Sequence, residues 1–181
     1  RDIHRHLQRQ FKGRIIFPSH HESHAASAFF ASPFEHAAIL TADGVGEWET
    51  TTLGTGQQNR IELFKSLEFP HSLGLLYSAF TSFCGFSINS GEAKLMGLAP
   101  FGQPNYVEDI RQNLIDVKPD GSFRLDLGYF NFHKGLTMTS GRFHRLFGGP
   151  PRKPETEITQ REMDLASSIQ VTIEDILLKM A

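Results

Sequence analysis

Residues 35 to 69 carry the pattern that most restricts the fold. Three runs with strand periodicity, HAAILTADG, EWETTTLGTG and RIELFKSLEF, follow one another directly, each ended by glycine, asparagine or proline. Runs joined by turns this short can pair only with their sequence neighbours, so they predict a three-strand antiparallel meander. The next stretch, HSLGLLYSAFTSFCGF (71 to 86), changes to helical spacing, with Leu75, Leu76, Ala79, Phe80 and Phe83 on one side. The order is therefore strand, strand, strand, helix. That order implies an α/β domain with helices flanking a sheet.

Ahead of the meander stands PSHHESHAASAFF, residues 18 to 30, with three histidines in five positions. Ser19 and Glu22 form the S-x-x-E capping box, which predicts a helix from about His20 to Phe30, packed through Ala25, Ala26, Ala28 and Phe29. Arg1 to Phe11 reads as the end of another helix, and RIIFPS (14 to 19) as a short buried strand. Further on, EAKLMGLA reads as a short helix, Tyr106 to Val117 as helical, and KPDGSFRLDL as a turn at Asp120-Gly121 leading into a strand. The proline-rich GGPPRKPETEIT (148 to 159) suggests a possible sub-boundary before a last helix opened by the capping box T-Q-R-E. Residues 1–181 are otherwise read as part of one domain.

On a helix His20 and His24 lie four apart, so their side chains share a face one turn from each other, which is chelating geometry. The positive end of the helix favours neutral imidazole, the form that binds metal. The zinc-protease pattern H-E-x-x-H is absent, since the glutamate follows His21 directly and the next histidine comes two positions later. A carboxylate would complete a set of two imidazoles and one acid, suited to divalent iron or zinc with open positions. Asp43 is the candidate. It ends a strand and opens D-G-V-G-E, where Gly44 and Gly46 let backbone N–H groups approach an oxyanion, as actin-like nucleotide-binding folds hold a metal and a phosphate. The plain alternative is an ordinary Asp-Gly hairpin turn.

A third cluster is SGEAKLMGLAPFG, residues 90 to 102. Glu92 suits the first turn of a helix, whereas Lys94 opposes the helix dipole and so suggests a phosphate or carboxylate partner. Glu92 and Lys94 are the candidate catalytic residues, and Lys94 is also a candidate phosphate ligand. His36, His71, His133 and His144 are scattered and read as surface or core histidines.

Composition narrows the partners. The 181 residues carry a net charge of -2 and no basic stripe, so nothing attracts nucleic acid or an anionic membrane broadly. No run approaches the roughly 20 apolar residues of a membrane span, and the charged start lacks a signal-peptide core, so the expected setting is cytoplasmic. Cys84 is the single cysteine and reads as a small buried hydrophobe. Arg1 opens without a methionine and the last helical run has no stop signal, so a piece of a longer protein is expected.

The three clusters, in this order and spacing, resemble the carbamoyltransferases of the nodulation-protein-U and antibiotic-tailoring type. HHESHAASAF is similar to that family's HHxxHAASAF signature, ILTADGVGEW to its D-G-x-G-E loop, and GEAKLMGLAPFG to its E-x-K-x-M-G-L-A-P-x-G segment. The resemblance is strong from Phe17 to Gly102 and weaker elsewhere. It implies an incomplete actin-like domain of the sugar-kinase and Hsp70 type, with a mixed sheet, related to the tRNA threonylcarbamoyl transferases. It also implies that His20, His24 and Asp43 hold a metal, usually iron. ATP and carbamoyl phosphate would give a carbamoyl-adenylate, whose carbamoyl group passes to a hydroxyl of a sugar, antibiotic or lipo-oligosaccharide. The first glycine turn, a later acidic ligand, most of the nucleotide pocket and the adenylate-forming domain have no counterpart here. The remaining segments of the same polypeptide are thus expected partners, and the chain alone is expected to be inactive. Two other readings keep the fold. One is a tRNA threonylcarbamoyl transferase-like protein, disfavoured by the absence of a basic stripe. The other is a non-catalytic nucleotide-binding domain.

Overall fold

The computed structural model describes residues 13–181, and the helix expected over Arg1 to Phe11 lies outside them. Strands β1 (His36–Gly46), β2 (Glu49–Gln57) and β3 (Arg60–Glu68) form an antiparallel sheet in that order, each joined to the next by two residues. Glu47 and Gln58 take the left-handed backbone conformation that such tight turns require. The meander expected from the periodicity is thus present. Every strand pair among the described residues is antiparallel, so the mixed sheet implied by the family resemblance does not occur there.

Helix α1 (His20–Phe29) lies on one face of the sheet, burying Ala25 and Phe29 against Ile39, with Ala37, Ile61 and Leu63 around them. Ala28, placed on the packing face by its periodicity, is exposed, because the buried stripe runs through His21, Ala25 and Phe29 instead. RIIFPS forms no strand: Ile16 and Phe17 are 69% and 76% exposed and have no ladder to join. A short apolar run becomes a strand only where a neighbour supplies its hydrogen bonds.

The main core sits beyond the sheet. Helices α2 (Leu73–Phe83) and α6 (Gln160–Met180) bury Leu76, Phe80 and Phe83 together with Leu165, Ile169 and Ile176. Helix α5 (Gly141–Leu146) and the residue after it add Phe143 and Phe147, whose rings stand 5.1 Å and 5.4 Å from Phe80. Helix α3 (Glu92–Leu98) and helix α4 (Val107–Asn113) close the sides. The helix expected to run to Val117 stops at Leu114, because Ile115–Val117 (β4) pairs with Phe123–Leu125 (β5) across the Asp120-Gly121 turn. Residues 148–159 are fastened down at Arg152, whose backbone N–H donates to the Phe83 carbonyl at 2.9 Å and whose Nε donates to that of Cys84 at 2.7 Å. Burial pushes the Cys84 thiol up to about 12, in keeping with a packing role.

At the start of α6 the carboxylate of Glu162, 2% exposed, accepts from the Thr159 backbone N–H at 3.0 Å, the Thr159 hydroxyl at 2.6 Å and Arg161 at 2.9 Å. Burial raises its pKa, but these donors together outweigh it and hold the carboxyl below the ordinary glutamate value. A lowered native pKa means that the ionised form stabilises the fold above the ordinary value of about 4.3, and that this stabilisation is lost as pH falls through the native value. Glu162→Gln is therefore expected to lower the urea midpoint at pH 7 and to differ less from the parent at pH 4. An equal deficit at both pH values would refute the ionised anchor.

Candidate metal centre

The site begins with a helix start. The Ser19 hydroxyl accepts from the Glu22 N–H, and the Glu22 carboxylate accepts from the Ser19 N–H at 2.9 Å. This reciprocal cap fixes the first turn of α1, and with it the directions of His20 and His24. The carboxylate arrives from β1. Between the pairs Ala42↔Thr51 and Gly46↔Glu49, the residues Asp43 to Val45 leave the ladder, and such a bulge re-aims side chains. The Asp43 carbonyl is held by the Ser72 hydroxyl at 2.9 Å, which ties the bulge to the first turn of α2.

Three donor atoms converge. His20 Nε2 lies 2.6 Å from Asp43 Oδ2, His24 Nε2 lies 3.5 Å from the same oxygen, and the two imidazole nitrogens are 2.9 Å apart. A ring Nε2 carries either a proton or a lone pair. His20 Nε2 therefore cannot donate to Asp43 and accept from His24 at once. With neutral imidazoles a single Nε2–H on His20 must be shared between Asp43 and His24, or else His24 Nε2 is left to solvent. A cation would engage all three lone pairs at once, and two imidazoles with one carboxylate suit divalent iron or zinc. The side chains of His20, His24 and Asp43 are 44%, 52% and 33% exposed, which leaves one side of the trio open to solvent.

Asp43 is prepared for such a role. Partial burial raises its pKa, but the Gly44 N–H, 2.6 Å from Oδ1, and the adjacent His20 and His24 outweigh burial and hold it below the ordinary aspartate value. The Gly44 N–H is thereby engaged with Asp43 itself. Gly46 answers a different need: a Cβ there would stand 2.4 Å from His20 Cδ2 and 2.9 Å from His21 Cδ2. The two rings pack against its bare Cα.

His21 takes no part in the trio. It is fully buried, its Nε2 donates to the Glu49 carbonyl at 3.0 Å, and its Nδ1 accepts from the Thr41 hydroxyl. Thr41 Oγ1 is in turn 2.7 Å from Thr52 Oγ1. Both ring nitrogens are used to bind α1 to β1 and β2. Composition alone could not assign that structural role, although its place one residue off the His20–His24 face was readable.

The other candidates separate. Glu92 lines a cleft of about 480 Å³ with Asp43, Gly44, Tyr77, Ser78 and Asn89. Its Oε1 accepts from the Ser78 hydroxyl at 2.8 Å and from the Asn89 N–H at 3.1 Å. Burial raises its pKa, yet Ser78 and the surrounding N–H groups outweigh burial and keep it below the usual glutamate value. Lys94 instead faces a separate depression with Ser87, Arg152 and Thr156. Neither Ser78 nor Asn89 belongs to a motif that marks it as functional. Asn89 carried one usable signal, since asparagine before Ser-Gly often takes the left-handed conformation it has here. His71 Nδ1 accepts from the Leu125 N–H at 3.1 Å and His144 Nε2 pairs with the Thr139 hydroxyl at 3.0 Å, so both serve structure.

Comparison with known proteins places the chain in a family. An uncharacterized protein of Synechocystis, sll1178, is 59% identical over 92% of this chain and 27% of its own length. Nodulation protein NolNO of Sinorhizobium fredii is 34% identical over 91% of this chain and 22% of its own. Nodulation protein NolO of Bradyrhizobium diazoefficiens is 29% identical over 88% and 27% respectively. The chain thus spans about a quarter of the length of these relatives. The family described as Carbamoyltransferase N-terminus matches residues 3–181, and the chain belongs to that family.

Proposed function

We propose that this chain supplies the metal-holding part of an O-carbamoyltransferase of actin-like fold, acting with the remaining segments of its polypeptide. The observation that carries the reading is the convergence of His20 Nε2, His24 Nε2 and Asp43 Oδ2, at 2.6 Å, 2.9 Å and 3.5 Å from one another. The proposed ion is Fe²⁺ or Zn²⁺, and when bound it would supply Lewis-acid polarisation of a carbamoyl-adenylate made from ATP and carbamoyl phosphate. The acceptor is a hydroxyl of a sugar, antibiotic or lipo-oligosaccharide.

The chain's own residues would do the following. His20 and His24 present neutral imidazoles from one helical turn, and Asp43 adds the anionic donor. Ser72 and the Gly44 N–H hold that aspartate in place. Glu92, kept ionised beside Ser78, lines the same cleft and would accept a proton or a hydroxyl hydrogen bond from a group bound there. Lys94 lies outside that cleft, in its own depression with Arg152, and would contact a phosphate only if the remaining segments bring one to that depression.

Elemental analysis tests the reading. The full-length polypeptide, purified without chelator, is expected to carry one iron or zinc ion per chain. A polypeptide that stays metal-free after anaerobic reconstitution would overturn it in favour of a nucleotide-binding domain whose histidines are structural.

A further inference from the structure

Asp43 is carried by backbone that leaves its ladder, so the sheet alone does not fix where its carboxylate stands. The start of α2 does. Ser72, wholly buried, donates its hydroxyl to the Asp43 carbonyl at 2.9 Å and accepts from the Leu75 N–H at 3.0 Å, so the cap of α2 is also a support of the bulge. Two residues on, Gly74 lies against the same peptide: a Cβ there would stand 2.6 Å from the Asp43 oxygen and 2.7 Å from both its carbonyl carbon and the Gly44 nitrogen. Alanine suits a helix better than glycine, so the glycine answers this contact and not the helix.

The two sides of this contact are held unequally. His71, just before Ser72, is fixed twice: its carbonyl accepts from the buried Thr50 hydroxyl at 2.6 Å, and its Nδ1 accepts from the Leu125 N–H at 3.1 Å. Leu73, Leu76 and Phe80 then anchor α2 in the main core. Asp43 to Val45 stand outside the ladder and are the freer side. A methyl group at position 74 would force the two backbones apart by roughly 1 Å to reach an ordinary contact, and the bulge would make most of that movement. Metal–ligand distances tolerate only about 0.2 Å.

We propose that Gly74 and Ser72 are positioning residues for the metal: they set the place of Asp43 relative to His20 and His24 and give no donor atom themselves. The bare Cα of Gly74 limits how near α2 and the bulge can come, and the Ser72 hydroxyl keeps them from parting. Both act on the peptide of Asp43, so they move its carboxylate and leave the two imidazoles, which come from α1, where they are. The inference rests on His20, His24 and Asp43 holding a metal, and adds that α2 aligns the carboxylate among them.

The test titrates Co²⁺ into the full-length polypeptide after treatment with chelator, reading affinity and the visible absorption that reports ligand geometry around the ion. Gly74→Ala should weaken Co²⁺ by roughly 10- to 100-fold and change the absorption bands. Ser72→Ala keeps the bare Cα and removes one hydrogen bond, so it should weaken Co²⁺ by about three- to tenfold. That variant decides the matter if Gly74→Ala does not fold. Phe83→Leu, at the far end of α2, should lower the urea midpoint yet leave affinity and bands at the parent's values, which separates the placing of Asp43 from a general loss of stability. Parent-like affinity and bands in the deciding variant, or an equal weakening by Phe83→Leu, would overturn the inference and leave the metal site standing. A parent that takes up no Co²⁺ would overturn the metal site, and the inference with it.

Discussion

Replacing His20 or His24 by alanine in the full-length polypeptide is expected to abolish retention of the proposed metal through desalting, and with it the proposed carbamoyl transfer. Each change removes one of three donors, and the two that remain cannot close a site. The side chains are 44% and 52% exposed, so the cost to folding should stay within about 1 kcal/mol. His21→Ala should show the opposite pattern. It leaves the Thr41 hydroxyl and the Glu49 carbonyl without their buried partner and opens a cavity, a loss of about 3 kcal/mol read as a lower denaturation midpoint. Metal retention in the His21 variant should persist wherever the protein remains folded. Equal metal loss in all three variants, compared under conditions where each is folded, would sink the assignment of the pair.

The division between these histidines is partly legible in the sequence. Ser19 and Glu22 announce the helix start, and a spacing of four puts His20 and His24 on one face. What pattern could not supply was the approach of β1. Asp43 reaches the histidines because the ladder is interrupted between Ala42 and Gly46, and a bulge of that kind depends on the partner strand's register. The meander and α2 were readable because each has a clean period and a turn or cap at its ends. Ile16 and Phe17 misled for the complementary reason: their apolar run has strand character, but strand formation needs a neighbour that local sequence does not reveal. Tyr106 to Val117 failed at its end because Ile115 and Val117 gain more by pairing with Leu125 and Phe123 than by extending α4.

Gly46 offers the sharper discrimination between two accounts of the D-G-V-G-E loop. If its glycines serve an oxyanion through backbone N–H groups, Gly44→Ala and Gly46→Ala should both weaken phosphate binding and leave metal content alone. The geometry predicts otherwise. A Cβ at Gly44 meets nothing within 4 Å, so Gly44→Ala should be close to silent. A Cβ at Gly46 would stand 2.4 Å and 2.8 Å from the His20 ring and 2.9 Å from that of His21. His21 cannot yield, because both its nitrogens are engaged in the buried layer. His20 can yield, being open to solvent on one side, and rotation would carry its Nε2 away from Asp43. Gly46→Ala is therefore expected to lose metal much as His20→Ala does, with an added overpacking cost of about 1 to 3 kcal/mol that His20→Ala does not incur. In the double variant His20→Ala with Gly46→Ala the crowding against His20 is gone, so part of that stability cost should return while metal stays absent. Metal retained in Gly46→Ala at the parent level would mean that the His20 ring does not depend on the bare Cα beneath it, and the loop would revert to an oxyanion site.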